Sequence, residues 1–300
     1  MMSTGARRWL KRSAVALLVL VALAAAALFA GEQLARHKMQ RKLDIAVQPV
    51  AYREDAAAVE RGRYLFASRG CVDCHGAQGN GRTFLDDGKG MRIAGPNISP
   101  GPGSAVAGYA PEDWVRAIRH GVARGGRPLM VMPSEDYNRL TDEDLASLVA
   151  YIRKLAPVQG GAAVVELPLP VRALYGFGLV NDAAAKIDHA LPPAQPVADG
   201  VNVAHGAYVA NMCLGCHGAK LAGGKIPGGP PDWPAAARLT PGEGNAMPRY
   251  PDADAFARMF KTGKRPDGTP IKVMPFGSLG QMNDTDVRAL FLYLKSLPPG

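Results

Sequence analysis

All four cysteines of this 300-residue chain fall in two copies of one five-residue pattern, C-x-x-C-H. The first copy, CVDCH, occupies residues 71–75, and the second, CLGCH, occupies residues 213–217. Thiols three positions apart lie on one face of a helical turn, and the imidazole that follows points to the same side. The chain must therefore fold so that each trio of side chains faces one common group, and it must do so twice.

C-x-x-C-H is the attachment signature of c-type haem, in which both thiols form thioether bonds and the histidine binds the iron. We predict two covalently bound haem c groups, held by Cys71, Cys74 and His75 and by Cys213, Cys216 and His217. A zinc site is the weaker alternative, because one copy supplies three ligands and two copies supply six. A thioredoxin-like thiol pair needs a βαβ pattern, which the sequence lacks. Disulfides between cysteines this close are difficult to form.

A second axial ligand for each iron is indicated by an internal repeat. Met132 follows Cys71 at the same separation at which Met274 follows Cys213, and a proline comes after each methionine. The shift that superposes Cys71 on Cys213 also superposes Tyr151 on Tyr293. The two halves are therefore copies of one domain, and Met132 and Met274 are the predicted iron ligands.

The other histidines have no histidine partner in the repeat, and we expect them on the surface: His37, His120, His189 and His205. Methionines without a methionine partner are expected to pack in the core or beside the haem. These include Met91, Met212, Met259 and Met282.

Amphipathic helices are predicted at equivalent places in both halves. Thr141 and Asn283 are candidate helix N-caps, and each precedes apolar residues at helical spacing. A helix from about Pro111 to His120 recurs near residues 254–262. Glycines at 62 and 206 lie in a helix that precedes each C-x-x-C-H motif. They mark either a close crossing with the last helix of each half or a helix start.

The N-terminal segment favours a retained membrane anchor. Residues 14–30 form an unbroken apolar run that follows four basic side chains. The run spans about 25 Å as a helix, against a bilayer core of about 30 Å. A cleaved signal peptide is the alternative. Residues 1–44 carry +6 of the formal charge of +9, so residues 45–300 are nearly neutral and no nucleic-acid partner is expected.

With these motifs the chain resembles class I cytochromes c, and more closely the membrane-anchored multihaem cytochrome c subunits of bacterial periplasmic dehydrogenases. The resemblance covers roughly residues 50–300 and implies an all-α fold with six-coordinate haems. Residues 95–98, GPNI, look like the family's loop beside the haem histidine. There the resemblance implies that the Pro96 carbonyl accepts a hydrogen bond from His75. The second copy departs from this pattern, with Ala237-Arg238-Leu239-Thr240, and leaves open how His217 is held.

The predicted architecture is two tandem class I cytochrome c domains after an N-terminal transmembrane helix. Its segments are a signal anchor (1–31), a tether (32–50), domain 1 (51–157), a linker with an apolar segment (158–200) and domain 2 (201–300). The linker is expected to pack between the haem domains or to meet a partner or the membrane surface.

The predicted function is single-electron transfer from a periplasmic donor, such as a dehydrogenase, to the respiratory chain. The protein would sit in the bacterial inner membrane with its haem domains in the periplasm. No catalytic residue is expected, because both axial positions of each iron are filled. The alternatives are a dihaem subunit of a terminal oxidase complex and a dihaem peroxidase.

Overall fold

The N-terminal helix is the longest element of the chain. The computed structural model describes residues 4–230 and 232–299. Helix α1 (Thr4–Gln40) has 37 residues, or about 55 Å at the usual rise. It is the one helix among the described residues that is long and apolar enough to cross a membrane, and its most apolar stretch is almost entirely exposed. Residues 32–40, expected to belong to the tether, continue this helix, and a linker helix packs against α1.

Each half contains the same series of five helices, as the repeat predicts. In domain 1 these are α2 (Ala56–Ser68), α3 (Cys71–His75), α4 (Pro111–His120), α5 (Ser134–Tyr137) and α6 (Asp142–Arg153). The linker contributes α7 (Leu169–Gly176). In domain 2 they are α8 (Val203–Val209), α9 (Leu214–His217), α10 (Ala253–Thr262), α11 (Phe276–Leu279) and α12 (Asp284–Ser296). Short 3₁₀ turns cover Ala184–Lys186, Ala210–Cys213 and Met247–Arg249.

The described residues are mostly helical, in agreement with the predicted all-α class, but they also form one small antiparallel sheet on domain 1. Its strands are β1 (Arg82–Asp86), β2 (Arg92–Gly95) and β3 (Val164–Glu166), in the spatial order β1-β2-β3. β1 pairs with β2 with Arg82 opposite Gly95, and β2 pairs with β3 with Ala94 opposite Val164. Because β3 belongs to the linker, the sheet ties the linker to domain 1.

The two terminal helices begin at the predicted caps. The Thr141 hydroxyl accepts a hydrogen bond from the Asp144 amide at 3.0 Å, and the Asn283 side chain accepts one from the Asp286 amide at 2.8 Å. A side-chain acceptor at this position satisfies one of the amides that a helix start leaves unpaired. The local signal in the sequence therefore sets where α6 and α12 begin.

Each domain has its own apolar core, and both cores are organised by a close helix crossing. α2 crosses α6 in domain 1, and α8 crosses α12 in domain 2. A Cβ atom on Gly62 would lie 1.9 Å from the Ser147 carbonyl oxygen, and one on Gly206 would lie 2.0 Å from that of Ala289. These glycines lie inside their helices, so the close crossing explains them and a helix start does not.

The linker helix α7 packs along α1 and does not lie between the haem domains. A Cβ atom on Gly176 would lie 2.1 Å from the Gly31 carbonyl oxygen, so the two helix backbones touch. Arg41 at the end of α1 donates two hydrogen bonds to the buried carboxylate of Asp182, at 2.7 and 2.9 Å. The apolar stretch seen in the linker sequence is thus the partner of the long N-terminal helix.

Replacing Gly62 or Gly206 with alanine is expected to destabilise the domain that contains it. The added methyl group must displace a helix backbone, and overpacking of this kind costs about 1–3 kcal/mol. Denaturant unfolding of the haem-loaded protein, followed by circular dichroism, measures the change. Gly161→Ala is the control, because a Cβ atom there meets nothing within 4 Å. Equal stability of all three variants would contradict the role of the crossing.

Candidate haem sites

The first C-x-x-C-H motif forms a single isolated helical turn. α3 follows Gly70, which has a φ of 85°, and ends at Gly76, which has a φ of 74°. Both angles lie in the left-handed region that glycine adopts without strain. The thiols of Cys71 and Cys74 are free and not bonded to each other. One short helix therefore carries two unbonded thiols and an imidazole.

A backbone carbonyl orients His75, as the resemblance implied. The Nδ1 atom of His75 lies 2.9 Å from the Pro96 carbonyl oxygen. A carbonyl only accepts, so Nδ1 carries the proton and the Nε2 lone pair is left for a metal. Burial lowers the pKa of His75, which also favours the neutral ring. A Cβ atom on Gly95 would lie 2.1 Å from the Cys74 carbonyl oxygen. Glycine is therefore required at the end of β2, directly before Pro96.

His217 is held in the same way, by a residue that the sequence did not identify. Its Nδ1 atom lies 2.7 Å from the carbonyl oxygen of Ala237. The backbone carbonyl is the functional part, so the second copy does not need the proline of the first. Leu221 has a φ of 54° at the repeat position of Gly79, which has a φ of 72°. The backbone path is therefore shared by the two copies while the side chains differ.

The two predicted methionines occupy equivalent loops. Met132 is half-buried against the apolar core of domain 1, which Cys71 also contacts. Met274 and Cys213 border the core of domain 2 in the same way. The Met132 carbonyl accepts a hydrogen bond from the Ser134 amide at 2.8 Å, and that of Met274 accepts one from the Phe276 amide at 2.9 Å. Each methionine therefore starts a tight turn into a short helix, and its thioether is left for another role.

Taken together, the residues of each copy fit haem c. Each copy supplies two unbonded thiols, an imidazole with a free Nε2 lone pair and a thioether, and in each the first thiol and the thioether border the apolar core of the domain. Among residues 4–230 and 232–299 there is no group of three or more histidine, cysteine or carboxylate side chains arranged to hold a metal ion.

Met212, Met259 and Met282 pack in or against the core of domain 2 as expected, whereas Met91 is half-buried outside both cores and two histidines are not on the surface. Met259 and Met282 are 4% and 2% exposed and belong to the core of domain 2. The expectation that the unmatched histidines lie on the surface is wrong for His205, which is 1% exposed, and for His120, which is 7% exposed. His120 pairs with His189, with 3.1 Å between their Nδ1 atoms. Periodicity could not reveal these positions because their partners are distant in sequence.

The two domains contact each other at their C-x-x-C-H turns. The Gly215 amide donates to the Asp136 carboxylate at 2.6 Å, and the Ser278 hydroxyl donates to the Asp73 carboxylate at 2.7 Å. Residues 73 and 215 are equivalent in the internal repeat, as are residues 136 and 278. The helix after each Met-Pro loop therefore touches the C-x-x-C-H turn of the other domain, and the contact is reciprocal.

A second reciprocal pair joins the domains through the starts of their terminal helices. The Tyr64 hydroxyl donates to Asp286 at 2.6 Å, and the Tyr208 hydroxyl donates to Asp144 at 2.6 Å. Burial and the Asp144 carboxylate raise the pKa of Tyr208, so the phenol stays a donor. The interface thus has an approximate two-fold symmetry that places the two candidate haem sites side by side.

Asp286 is the more deeply buried of the two carboxylates that accept these tyrosine hydrogen bonds. It is 1% exposed and accepts from Tyr64, from the buried guanidinium of Arg69 and from Nε2 of His205, the last at 2.7 Å. Burial acts to raise the pKa of Asp286, but the Arg69 charge and the three hydrogen bonds outweigh it and lower the pKa to about 2. Sequence reasoning missed this network. The one signal in the sequence that could have indicated it is the repeat of Tyr64 as Tyr208, each two positions after a glycine that also repeats.

Comparison with known families matches each half separately. The model of the family "Cytochrome C oxidase, cbb3-type, subunit III" matches residues 57–152, and the model of the family "Cytochrome c" matches residues 203–298. Each matched range contains one C-x-x-C-H motif, one of the two predicted methionine ligands and one terminal helix. Both haem-binding units of the chain are therefore recognisable on their own.

Curated relatives match across both halves. The fructose dehydrogenase cytochrome subunit of Gluconobacter japonicus is 30% identical over 267 residues, covering 80% of this chain and 53% of the relative. The gluconate 2-dehydrogenase cytochrome c subunit of Pantoea cypripedii is 28% identical, covering 80% and 60%. A diheme cytochrome c-type protein of Cereibacter sphaeroides is 25% identical, covering 79% and 85%. The chain thus spans little more than half the length of the dehydrogenase subunits.

Low pH should lower the free energy of unfolding through protonation of Asp286. A carboxylate with a pKa below its usual value stabilises the fold above pH 4, and the stabilisation disappears as pH falls from about 4 to about 2. The loss for this group is about 2 kcal/mol. Asp286→Asn should remove that part of the acid dependence and, at neutral pH, cost about 3 kcal/mol by leaving Arg69 buried without its counter-charge.

Denaturant unfolding between pH 2 and pH 7 measures both effects. The control is Asp284→Asn, because Asp284 is exposed in the same helical turn and should keep the full acid dependence. An Asp286→Asn protein with the acid dependence of the unaltered chain would exclude this assignment.

Proposed function

We propose that this chain is a dihaem c-type cytochrome that transfers single electrons from a periplasmic dehydrogenase to the respiratory chain. In support, each half matches a cytochrome c-type family model that indicates one covalently bound haem c group, and the chain resembles the cytochrome c subunits of bacterial dehydrogenases. The observation that carries the proposal is the reciprocal contact of the two C-x-x-C-H turns. This contact places the two C-x-x-C-H turns next to each other, which supports electron transfer between the two sites of the chain.

The ligand assignment is part of the proposal. Cys71 and Cys74 would bind the first haem and Cys213 and Cys216 the second, each through two thioether bonds. The iron ligands would be His75 with Met132, and His217 with Met274. When bound, an iron held by imidazole and thioether supplies a one-electron couple, and methionine ligation raises its potential relative to two histidines.

The chain's own residues orient these ligands and exclude water. The carbonyls of Pro96 and Ala237 hold the two imidazoles in one tautomer, which fixes the ring planes. The apolar cores behind the motifs exclude water, and a site that keeps its polar groups fixed needs little rearrangement when its charge changes. If His75 with Met132 and His217 with Met274 hold the two irons, these residues would leave no position on the metal for a substrate, so we assign the chain no bond chemistry of its own.

We place the protein in the bacterial inner membrane, held by α1 as a single-pass anchor with both haem domains in the periplasm. The length of α1 and the exposure of its apolar side chains support this. The packing of the linker helix α7 against α1 also supports it. A cleaved signal peptide would remove part of α1. The intact mass of the mature, haem-loaded protein distinguishes the two, since only the anchored form retains residues 1–30.

A subunit of a terminal oxidase complex is the second candidate. The description of the family model that matches domain 1 favours it, whereas the dehydrogenase relatives favour the first candidate. Both share the electron-transfer chemistry and differ only in the partner. A dihaem peroxidase is the third reading, and it requires an iron that can release its methionine.

We expect the protein extracted from solubilised membranes to copurify with a stoichiometric dehydrogenase subunit, and its haems to be reduced when that subunit turns over. The measurement is the subunit composition by mass spectrometry together with the haem absorption spectrum. A partner with oxygen-reducing activity would replace the first proposal with the second. A chain that purifies alone would count against both complexes and favour a free carrier.

Replacing either predicted methionine should remove one iron–sulfur bond. The oxidised protein should show the weak near-infrared sulfur-to-iron band, and Met132→Leu or Met274→Leu should each abolish about half of it. Met130→Leu is the matched control, because Met130 is half-buried in the same loop and its repeat partner is Lys272. A band that survives in the double variant would refute the ligand assignment. Catalytic peroxide consumption unaffected by both substitutions would favour the peroxidase.

A further inference from the structure

The crossing of α1 and α7 forms a groove that the electron-transfer role does not use. The helices touch at small residues, where a Cβ atom on Gly31 would lie 2.7 Å from the Ala173 Cβ atom. The groove between them has an apolar half and a charged half, and it is lined by Ala25, Leu28, Phe29, Glu32, Gln33, Arg36, Leu169 and Arg172.

The two halves of the groove follow the polarity of α1. Its apolar lining on α1 belongs to the last two turns of the apolar run that ends at Ala30, and its charged lining belongs to the next two turns. In an anchored protein this is the level at which the hydrocarbon core gives way to lipid headgroups. Phe29 is 67% exposed and lies on the hydrocarbon side.

The charged half is incompletely paired. One oxygen of Glu32, Oε1, accepts hydrogen bonds from Arg36 at 2.8 Å and from Arg172 at 2.9 Å. The Glu32 side chain is only 8% exposed, yet its other oxygen, Oε2, has no partner among the described residues. Arg172 Nε also has no partner there. The cluster of two guanidinium groups and one carboxylate therefore offers both an unused acceptor and an unused donor.

Exposed apolar side chains of the linker lie next to the contact between α1 and α7. Leu174 is 42% exposed, Phe177 is 49% exposed and Leu179 is 73% exposed. Phe177 packs beside Gly31 of α1. Large apolar side chains grouped in this way on a surface mark a contact with a partner or a membrane. Their attachment to α1, where it leaves the apolar run, makes the lipid bilayer the partner that fits.

We propose that the α1–α7 groove binds a phosphatidylethanolamine molecule of the outer leaflet, with its phosphate between Arg36 and Arg172, its ammonium group at Glu32 Oε2 and an acyl chain along Phe29 and Leu169. The headgroup supplies the acceptor and the donor that the cluster lacks. Phosphatidylcholine supplies the same phosphate, but its trimethylammonium group has no hydrogen to donate. This inference rests on the proposed retention of α1 as an anchor.

The test uses the full-length, haem-loaded protein, stripped of lipid in detergent. Dioleoyl phosphatidylethanolamine or dioleoyl phosphatidylcholine is added back, and native mass spectrometry counts the bound lipid. We expect phosphatidylethanolamine to be retained about fivefold more than phosphatidylcholine, because of its charge-assisted hydrogen bond to Glu32. Glu32→Gln should bring the ratio to about one, since the isosteric amide keeps the packing but loses the charge.

Arg36→Gln combined with Arg172→Gln should lower retention of both lipids about equally, whereas Lys89→Gln combined with Lys225→Gln should lower neither. The control lysines are exposed on domains 1 and 2, away from the groove. Each variant is checked for an unchanged haem spectrum and melting temperature. If a variant is misfolded, the lipid ratio of the unaltered protein decides the matter.

Equal retention of the two lipids by the unaltered protein, or an unchanged ratio in Glu32→Gln, would overturn the inference. The same spectra report the intact mass. A protein that keeps residues 1–30 without lipid preference refutes the lipid site and leaves the anchor in place. A protein that has lost these residues refutes both.

Discussion

The crossing of one helix over the terminal helix of its domain is the contact on which the rest of the structure depends. α2 and α8 lead directly into the two C-x-x-C-H turns, and each is pressed against a backbone carbonyl through a glycine. The terminal helices α6 and α12 also carry, at their starts, the carboxylates that take the other domain's tyrosine. Each terminal helix therefore packs against the helix that leads into the C-x-x-C-H turn of its own domain. Through its first turn it also binds the tyrosine of the other domain.

The hydrogen bonds between the domains are reciprocal, but the two interface carboxylates, Asp286 and Asp144, have different charged partners. Asp286 is buried with Arg69 and His205, whereas Asp144 takes two hydrogen bonds from Arg61, at 2.7 and 2.9 Å, with an Arg61 side chain that is 25% exposed. Burying a carboxylate is costly unless it is paired and hydrogen-bonded, and here each one is. The pairing holds the domains in one arrangement, so a duplicated domain has become a single unit with two non-identical sites.

The N-terminal helix is joined to domain 1 by more than a flexible tether. Beyond its end, the Leu43 amide donates to the Gly126 carbonyl at 2.9 Å, and Val50 is buried in the core of domain 1. The linker adds the Arg41–Asp182 ion pair and the strand β3. These contacts set the orientation of the haem domains relative to α1. In an anchored protein they would hold the haem sites at a fixed height and angle above the bilayer.

Local patterns in the sequence determined the chemistry and the helices. The C-x-x-C-H spacing, the methionines at matching offsets and the caps at Thr141 and Asn283 involve residues near in sequence or matched by the repeat, so one chain suffices to read them. Tertiary structure alone decided that Ala237 holds His217, that His205 is buried and that α7 packs on α1. The reason is physical: these are pairings of backbone carbonyls, buried charges and small-residue surfaces from distant segments. Such groups meet their partners only in the folded chain, and their pairing produces no periodic pattern in the sequence.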